Sequence, residues 1–231
     1  MKKVEHKPSK RFLEAKSLVE KDKSYPIAEA VELAKKTSTV KFDAGLEVHV
    51  KLGINPKKTD QQVRASVSLP NGTGKSVRVA VISTNGDQIK AGKAAGAEVA
   101  GEQDLIDEIK AGKINFDALV ATPEAMKLLA PIAKVLGPKG LMPNPKDGTV
   151  TGNVAEAVAN LKKGKVSYKN DDSGNLHVMI GKLSFEDGKL VENFQALMDS
   201  ITKAKPAAAK GTFIKNVAVA SSMGPGIKIA L

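Results

Sequence analysis

The chain has 231 residues, a formal net charge of +11, no cysteine, no tryptophan and only 3% aromatic residues. That length fits two domains better than one or three. The lack of cysteine excludes disulfides and thiolate zinc sites and fits a reducing cytoplasm, and no run of about 18 apolar residues is present to cross a membrane.

The basic start MKKVEHKPSKRF is not followed by an apolar segment, so a signal peptide is not expected. Helical spacing over Lys10 to Glu20 predicts a first helix, and Pro26 opens a second that carries Ile27, Ala30, Val31 and Ala34 on one face. Leu46 to Ile54 alternates apolar and polar residues and predicts a half-buried strand. Val63 to Val67 alternates again and could pair antiparallel with it. Beyond Leu69 the texture changes. Val77–Ile82, Glu98–Ala100 and Ala118–Ala121 read as strands, separated by helices from about Asp87 to Ala95 and Asp104 to Ala111 and followed by one from Glu124 to Val135. Strands and helices in alternation predict a parallel sheet covered by helices.

The run Leu136 to Gly148 is too rich in Gly and Pro to hold a regular element, and a helix follows over about Val154 to Leu161. The first texture then returns. Val166–Lys169 and Leu176–Ile180 look like a hairpin around Asp171 to Asn175, an amphipathic helix lies within Phe185 to Lys203, and Phe213 to Val219 is a last strand before the loop Ser221 to Gly226.

Charge follows the same division. Residues 1–68 hold 15 Lys+Arg against 9 Asp+Glu, residues 69–159 hold 10 against 10, and residues 160–231 hold 11 against 6. The excess therefore lies at the two ends, and ends that fold together make one basic domain suited to a polyanion such as RNA. The bland alternative is lysine solvated on helix faces.

Catalytic and cofactor motifs are not legible. Gly74-Lys75-Ser76 resembles the end of a P-loop, but Leu69 stands where the pattern needs glycine and the lysine precedes a strand. Ser83 to Asp87 has one glycine and lacks a dinucleotide fingerprint. His6, His49 and His177 have no metal-ligand spacing, so no metal, no cofactor and no catalytic residue is expected. Lys41-Phe42 can stack on a base while the ammonium meets phosphate, or Phe42 can be core. Ser222-Met223-Gly224 can approach RNA through a hydroxyl, a soft apolar surface and bare backbone, or can be an ordinary turn. A small-metabolite α/β enzyme and a general RNA chaperone remain the rival readings.

The run Val135 to Lys146, VLGPKGLMPNPK, closely resembles the signature of the bacterial L-one family of large-subunit ribosomal proteins, which form the ribosomal side stalk. Leu52 to Lys58, Asp60 to Arg64, Gly72 to Lys75, Phe116 to Ala118, Asn170-Asp171, His177, Gly181-Lys182, Lys205-Pro206 and Met223 to Pro225 match it in order along nearly the whole chain. The resemblance implies an α+β terminal domain, a discontinuous split βαβ formed by residues 1–68 and 160–231, with an inserted three-layer α/β Rossmann-like domain at 69–159 that can swing on its two chain crossings. It implies a non-enzymatic, cytoplasmic, ribosome-associated protein, a monomer off the ribosome. Its partners would be large-subunit rRNA, exit-site tRNA, whose release it assists, and its own operon mRNA, which it represses; no membrane is involved.

Family RNA contacts carry over onto Lys41, Phe42, Glu47, Ser222, Met223 and Gly224. Polar residues His49 and Lys51 on the same sheet face are further candidates, as are Lys169 and His177. The chain departs from the family pattern in Ser222, where threonine is usual, and near Gly45, where a hydroxyl residue is common. A chain joining residues 1–68 to 160–231 through a short linker should keep most of the affinity for an rRNA fragment; tighter binding by residues 69–159 alone would overturn the charge assignment.

Overall fold

The computed structural model describes residues 8–20 and 23–230. His6 and the rest of the basic first seven residues lie outside them. In chain order the elements are α1 (Lys10–Ser17), α2 (Ile27–Thr37), β1 (Gly45–Leu52), β2 (Arg64–Ser68), β3 (Val79–Ile82), α3 (Gly86–Ala94), β4 (Val99–Gly101), α4 (Gln103–Lys110) and β5 (Ala118–Ala121). They continue with α5 (Met126–Leu129), α6 (Ala133–Leu136), α7 (Val154–Lys162), β6 (Lys165–Lys169), β7 (Asn175–Lys182), α8 (Asp187–Lys203), β8 (Ile214–Ser221) and β9 (Ile227–Lys228). The chain divides into two compact units, one from residues 1–63, 69–73 and 168–231, the other from residues 64–68 and 74–167.

In the first unit the strand order is β7-β1-β8-β9, and every pairing is antiparallel. β7 and β8 therefore run parallel to each other with β1 between them, and α8 connects them: a split βαβ. Alternation decides the faces. Leu46, Val48, Val50 and Leu52 of β1 are buried, as are Leu176, Val178 and Ile180 of β7 and Val217 and Val219 of β8. α2 and α8 pack against each other and against β7, β8 and β9, closing over these side chains. α8 presents Leu190, Asn193, Phe194, Leu197 and Ile201 at helical spacing. Asn193 is the polar member of that stripe. Its amide donates to Ile180 O at 2.7 Å and Gly72 O at 2.9 Å, and its oxygen accepts from Asn71 N at 3.1 Å.

The second unit holds the parallel sheet β4-β3-β5. Successive residues of β3 point to opposite faces. Ala80 and Ile82, with Leu119 and Ala121, pack on Leu105, Ile106 and Ile109 of α4 and on Leu129, Ile132 and Leu136. Val79 and Val81, with Val120, pack on Val154, Ala157, Val158 and Leu161 of α7. Gly92 of α3 sits against Val81, where an added Cβ would be 3.2 Å from its methyl. Helices on both faces make three layers, which explains why these strands are apolar at every position.

Three expectations change. β2 pairs with β6 in a two-stranded sheet of its own, not with β1. β6 and β7 are accordingly not a hairpin. The Asp171 turn does form, with Gly174 at φ 77° and Asp171 Oδ1 accepting from Ser173 N and Asn175 N, but the strands leaving it join different partners. The helix expected over 124–135 is broken into α5, a 3-10 turn at Ala130–Ile132 and α6. Pro131 lacks the amide hydrogen that a continuous helix needs there. The short strand β9 was not anticipated.

The Gly/Pro run folds back on itself. Leu141 N donates to Leu136 O, Gly140 and Gly148 adopt φ of 69° and 68°, and Asn144 caps a 3-10 turn at Pro145–Asp147. Asp147 is buried and takes both Nε and a terminal nitrogen of Arg64 from β2, Nε at 3.1 Å.

Asn193→Ala strands Ile180 O, Gly72 O and Asn71 N together. It should cost on the order of 1–3 kcal/mol, measured by chemical denaturation followed through a probe in the first unit.

Candidate nucleic-acid interface

Among the described residues of the first unit, α2 and α8 cover one face of its sheet. The opposite, outer face is built by the alternate residues. Across it β1 and β7 set Glu47 against Met179, His49 against His177 and Lys51 against Asn175, while β8 sets Ala220, Ala218 and Asn216 against the same three β1 residues. β9 adds Lys228 opposite Ala218. Small Ala218 and Ala220 make this side of the face shallow, flanked by longer polar chains.

The two candidate loops meet at one end of the sheet. Ser222 N donates to Gly45 O at 2.9 Å, so the chain leaving β8 is tied to the start of β1. The Ser222 hydroxyl lies 3.3 Å from both Gly45 N and Glu47 Oε1. On the other side of Gly45, Asp43 is pinned: Oδ1 accepts from Ser184 N at 3.2 Å, Oδ2 from Ser184 Oγ at 2.9 Å, and Lys182 Nζ lies 3.6 Å away. This fixes the backbone directly after Lys41-Phe42. Phe42 is 57% exposed and Met223 72% exposed. Two large apolar side chains thus stand in water near this end of the sheet.

Met223 has φ 65°, and it is the non-glycine residue with positive φ among those described. The left-handed conformation costs a side-chain-bearing residue about 1–2 kcal/mol, so the surrounding turn must hold it. Gly224 N donates to Ser221 O at 2.8 Å, and a Cβ on Gly224 would come 2.1 Å from the Ser221 hydroxyl. That hydroxyl is buried and finds no partner among the described residues. Gly45 is tight as well: its missing side chain's space is taken by Met179 Sδ, 2.8 Å from where a Cβ would stand.

His49 and His177 touch directly, Nδ1 to Nδ1 at 2.8 Å with ring centroids 5.0 Å apart. Partial burial, then His177, holds the His49 imidazole below its ordinary pKa against a smaller pull from Glu47. Asp171, 3.6 Å from His177 Nε2, is held down at about 2, first by the Asn175 backbone N–H and then by its side-chain amide.

The structure thus gathers Lys41, Phe42, Glu47, Ser222, Met223 and Gly224 at one end of the sheet and His49, Lys51 and His177 along its outer face. Lys169 is the exception. It lies on β6, which pairs with β2 and not with this sheet, so it does not share the face. Met179, Asn216 and Lys228 share the face and were not among the candidates. Their signal is the alternation of β7, β8 and β9 counted from the buried Val178, Val217 and Ile227. Among the described residues no helix is long and apolar enough to cross a membrane.

Gly224→Ala should destabilise the chain by about 1–3 kcal/mol through overpacking. Ser221→Ala in the same chain should restore most of that loss, and chemical denaturation of the two single variants and the double variant measures both.

Residues 34–225 of the chain match the family described as the ribosomal protein L1p/L10e family.

Proposed function

The chain belongs to the ribosomal protein L1p/L10e family, and on that premise we propose that it builds the mobile stalk beside the tRNA exit site, assists release of deacylated tRNA and represses translation of its own operon mRNA. This is an rRNA-binding protein of the large ribosomal subunit, from a family of structural ribosomal proteins.

The observation that supports the site is the convergence of exposed Phe42 and Met223 at one end of the first unit's sheet, locked by Ser222 N to Gly45 O. RNA whose bases are splayed from a junction offers flat π faces, and Phe42 and Met223 offer flat or soft apolar partners. Lys41 adds salt-dependent attraction to phosphate. Glu47 and Ser222 present an acceptor and a hydroxyl suited to 2′-hydroxyl groups, and Gly224 lets backbone come close. The aligned apolar and polar groups select a rigid RNA shape, and charge alone does not. His49, Lys51 and His177 extend the contact along the sheet. Lys169, on β6, contributes through a separate surface.

Operon repression follows from the same chemistry. An mRNA segment that folds into the shape of the rRNA site meets the same groups, so ribosomal and messenger RNA compete for one surface. Free protein then signals that rRNA is used up. The protein is a monomer off the ribosome in this reading, and its place of work is the cytoplasm.

Met223→Ala and Phe42→Ala should each lower affinity for the rRNA junction fragment by about 1–3 kcal/mol, measured by filter binding at fixed salt. Lys41→Gln should flatten the dependence of affinity on salt. The unaltered protein should lose rRNA to its operon leader but not to an unrelated structured RNA. Unchanged affinity in both apolar variants places them outside the interface.

A further inference from the structure

His49 and His177 are 128 positions apart in sequence, yet they face each other across β1 and β7 with their Nδ1 atoms at 2.8 Å. A contact that short needs a proton on one nitrogen and a lone pair on the other. The far nitrogen of His177 biases which, since its Nε2 lies 3.6 Å from Asp171 Oδ2. Asp171 is itself fixed by Ser173 N, Asn175 N and Asn175 Nδ2. A carboxylate there favours N–H at Nε2, leaving Nδ1 of His177 as the acceptor and Nδ1 of His49 as the donor. If the His49 proton moves to its Nε2, two lone pairs face each other with no net proton gained or lost.

Whereas a tetrahedral ion holds two imidazole nitrogens roughly 3.3 Å apart, adjacent positions of a square-planar or octahedral ion, at bond lengths of about 2.0–2.1 Å, hold them roughly 2.9 Å apart. The 2.8 Å separation already matches that. The carboxylate behind His177 is also the outer partner that metal-binding histidines characteristically use to fix ring orientation and tautomer. We propose that His49 and His177 form a two-imidazole site for a borderline divalent transition ion of tetragonal preference, of the Ni²⁺ and Cu²⁺ class. Among the described residues no third His, Cys, Asp or Glu completes the group, so water fills the remaining positions. The hard ions Mg²⁺ and Ca²⁺ prefer oxygen ligands and are not served by this pair. The pair lies on the outer face, with Glu47 two residues from His49 and Lys51 two residues beyond. Its side chains are within reach of solvent, and an ion can enter without opening the core.

The site stands on side-chain geometry and not on the RNA reading. The test uses the untagged full chain, free of RNA, titrated with Cu²⁺ and with Ni²⁺. Calorimetry should give one ion per chain, and the electron spin resonance of the copper form should show two imidazole nitrogens. His49→Ala and His177→Ala should each weaken binding on the order of tenfold or more. His6→Ala should leave it unchanged, and Mg²⁺ should not compete. Circular dichroism should show the sheet intact in each variant. Absence of saturable binding, or binding that survives His49→Ala and His177→Ala, overturns the site. Neither result bears on rRNA affinity, which the Phe42 and Met223 variants test separately.

Discussion

Among the described residues, helices of the first unit cover its sheet on one face, and that constraint sets the unit's other features. α2 and α8 occupy one face of β7-β1-β8-β9, and strand alternation then commits every second residue to water. The covered positions must be apolar to supply the burial that holds so small a core together, and they are: Leu46, Val48, Val50 and Leu52 in β1 alone. The uncovered positions carry no such obligation. Glu47, His49, Lys51 and His177 can stand there, as can Ala218 and Ala220. A one-residue slip of β1 would exchange the two sets and destroy both the core and the outer face. The irregularity between Leu46 and Glu47 in the pairing with β7 therefore has to be absorbed locally, at the end where Gly45 lies against Met179.

Local chemistry was readable in the sequence and long-range pairing was not. β5 and α8 could be placed because an unbroken apolar run and a helical stripe each carry their own period. The turn at Asp171 to Gly174 was readable for the same reason, since Asx turn chemistry is short-range. What the sequence did not carry was the destination of the strands leaving that turn. β7 finds β1 more than a hundred residues earlier, and β6 finds β2. No pattern within either strand names its partner, so a hairpin was the economical expectation. The same blindness separated His49 from His177. Lys169 shows the same limit from another side: it lies on β6, which pairs with β2 and not with the sheet that carries His49 and Lys51. Phe42 and Met223 were readable as candidates through residue type and family resemblance, but their exposure and their common end of the sheet are properties of the fold.

The second unit shows how an irregular segment can be as fixed as a helix. The Gly/Pro run could be recognised as incapable of regular structure, but not what held it. Its last turn ends on Asp147, a buried carboxylate whose charge is met by the guanidinium of Arg64 in a two-pronged contact. A buried carboxylate without that partner would be strongly unfavourable. The pair therefore couples the signature run to β2, some eighty residues earlier in the chain, and a change in either residue is felt by the other segment.

The position of β1 at the centre of its sheet also sets an order in time. β3, β4 and β5 are made within a short stretch of chain, so the second unit's parallel sheet can form as soon as that stretch and its helices emerge. β1 must wait for β7 and β8. Roughly 170 residues separate the end of β1 from the end of β8, which at a synthesis rate of about 5–20 residues per second is on the order of 10–30 s. Until β7 is finished at Lys182 a strand with four apolar residues has no native neighbour, and one of its sides stays open until β8 is made. The outer face is complete only once β8 has been made, so a chain cut short before β8 lacks the β8 side of that surface and the Ser222 to Gly224 loop. Synthesis itself thus acts as a check that only finished molecules present it whole.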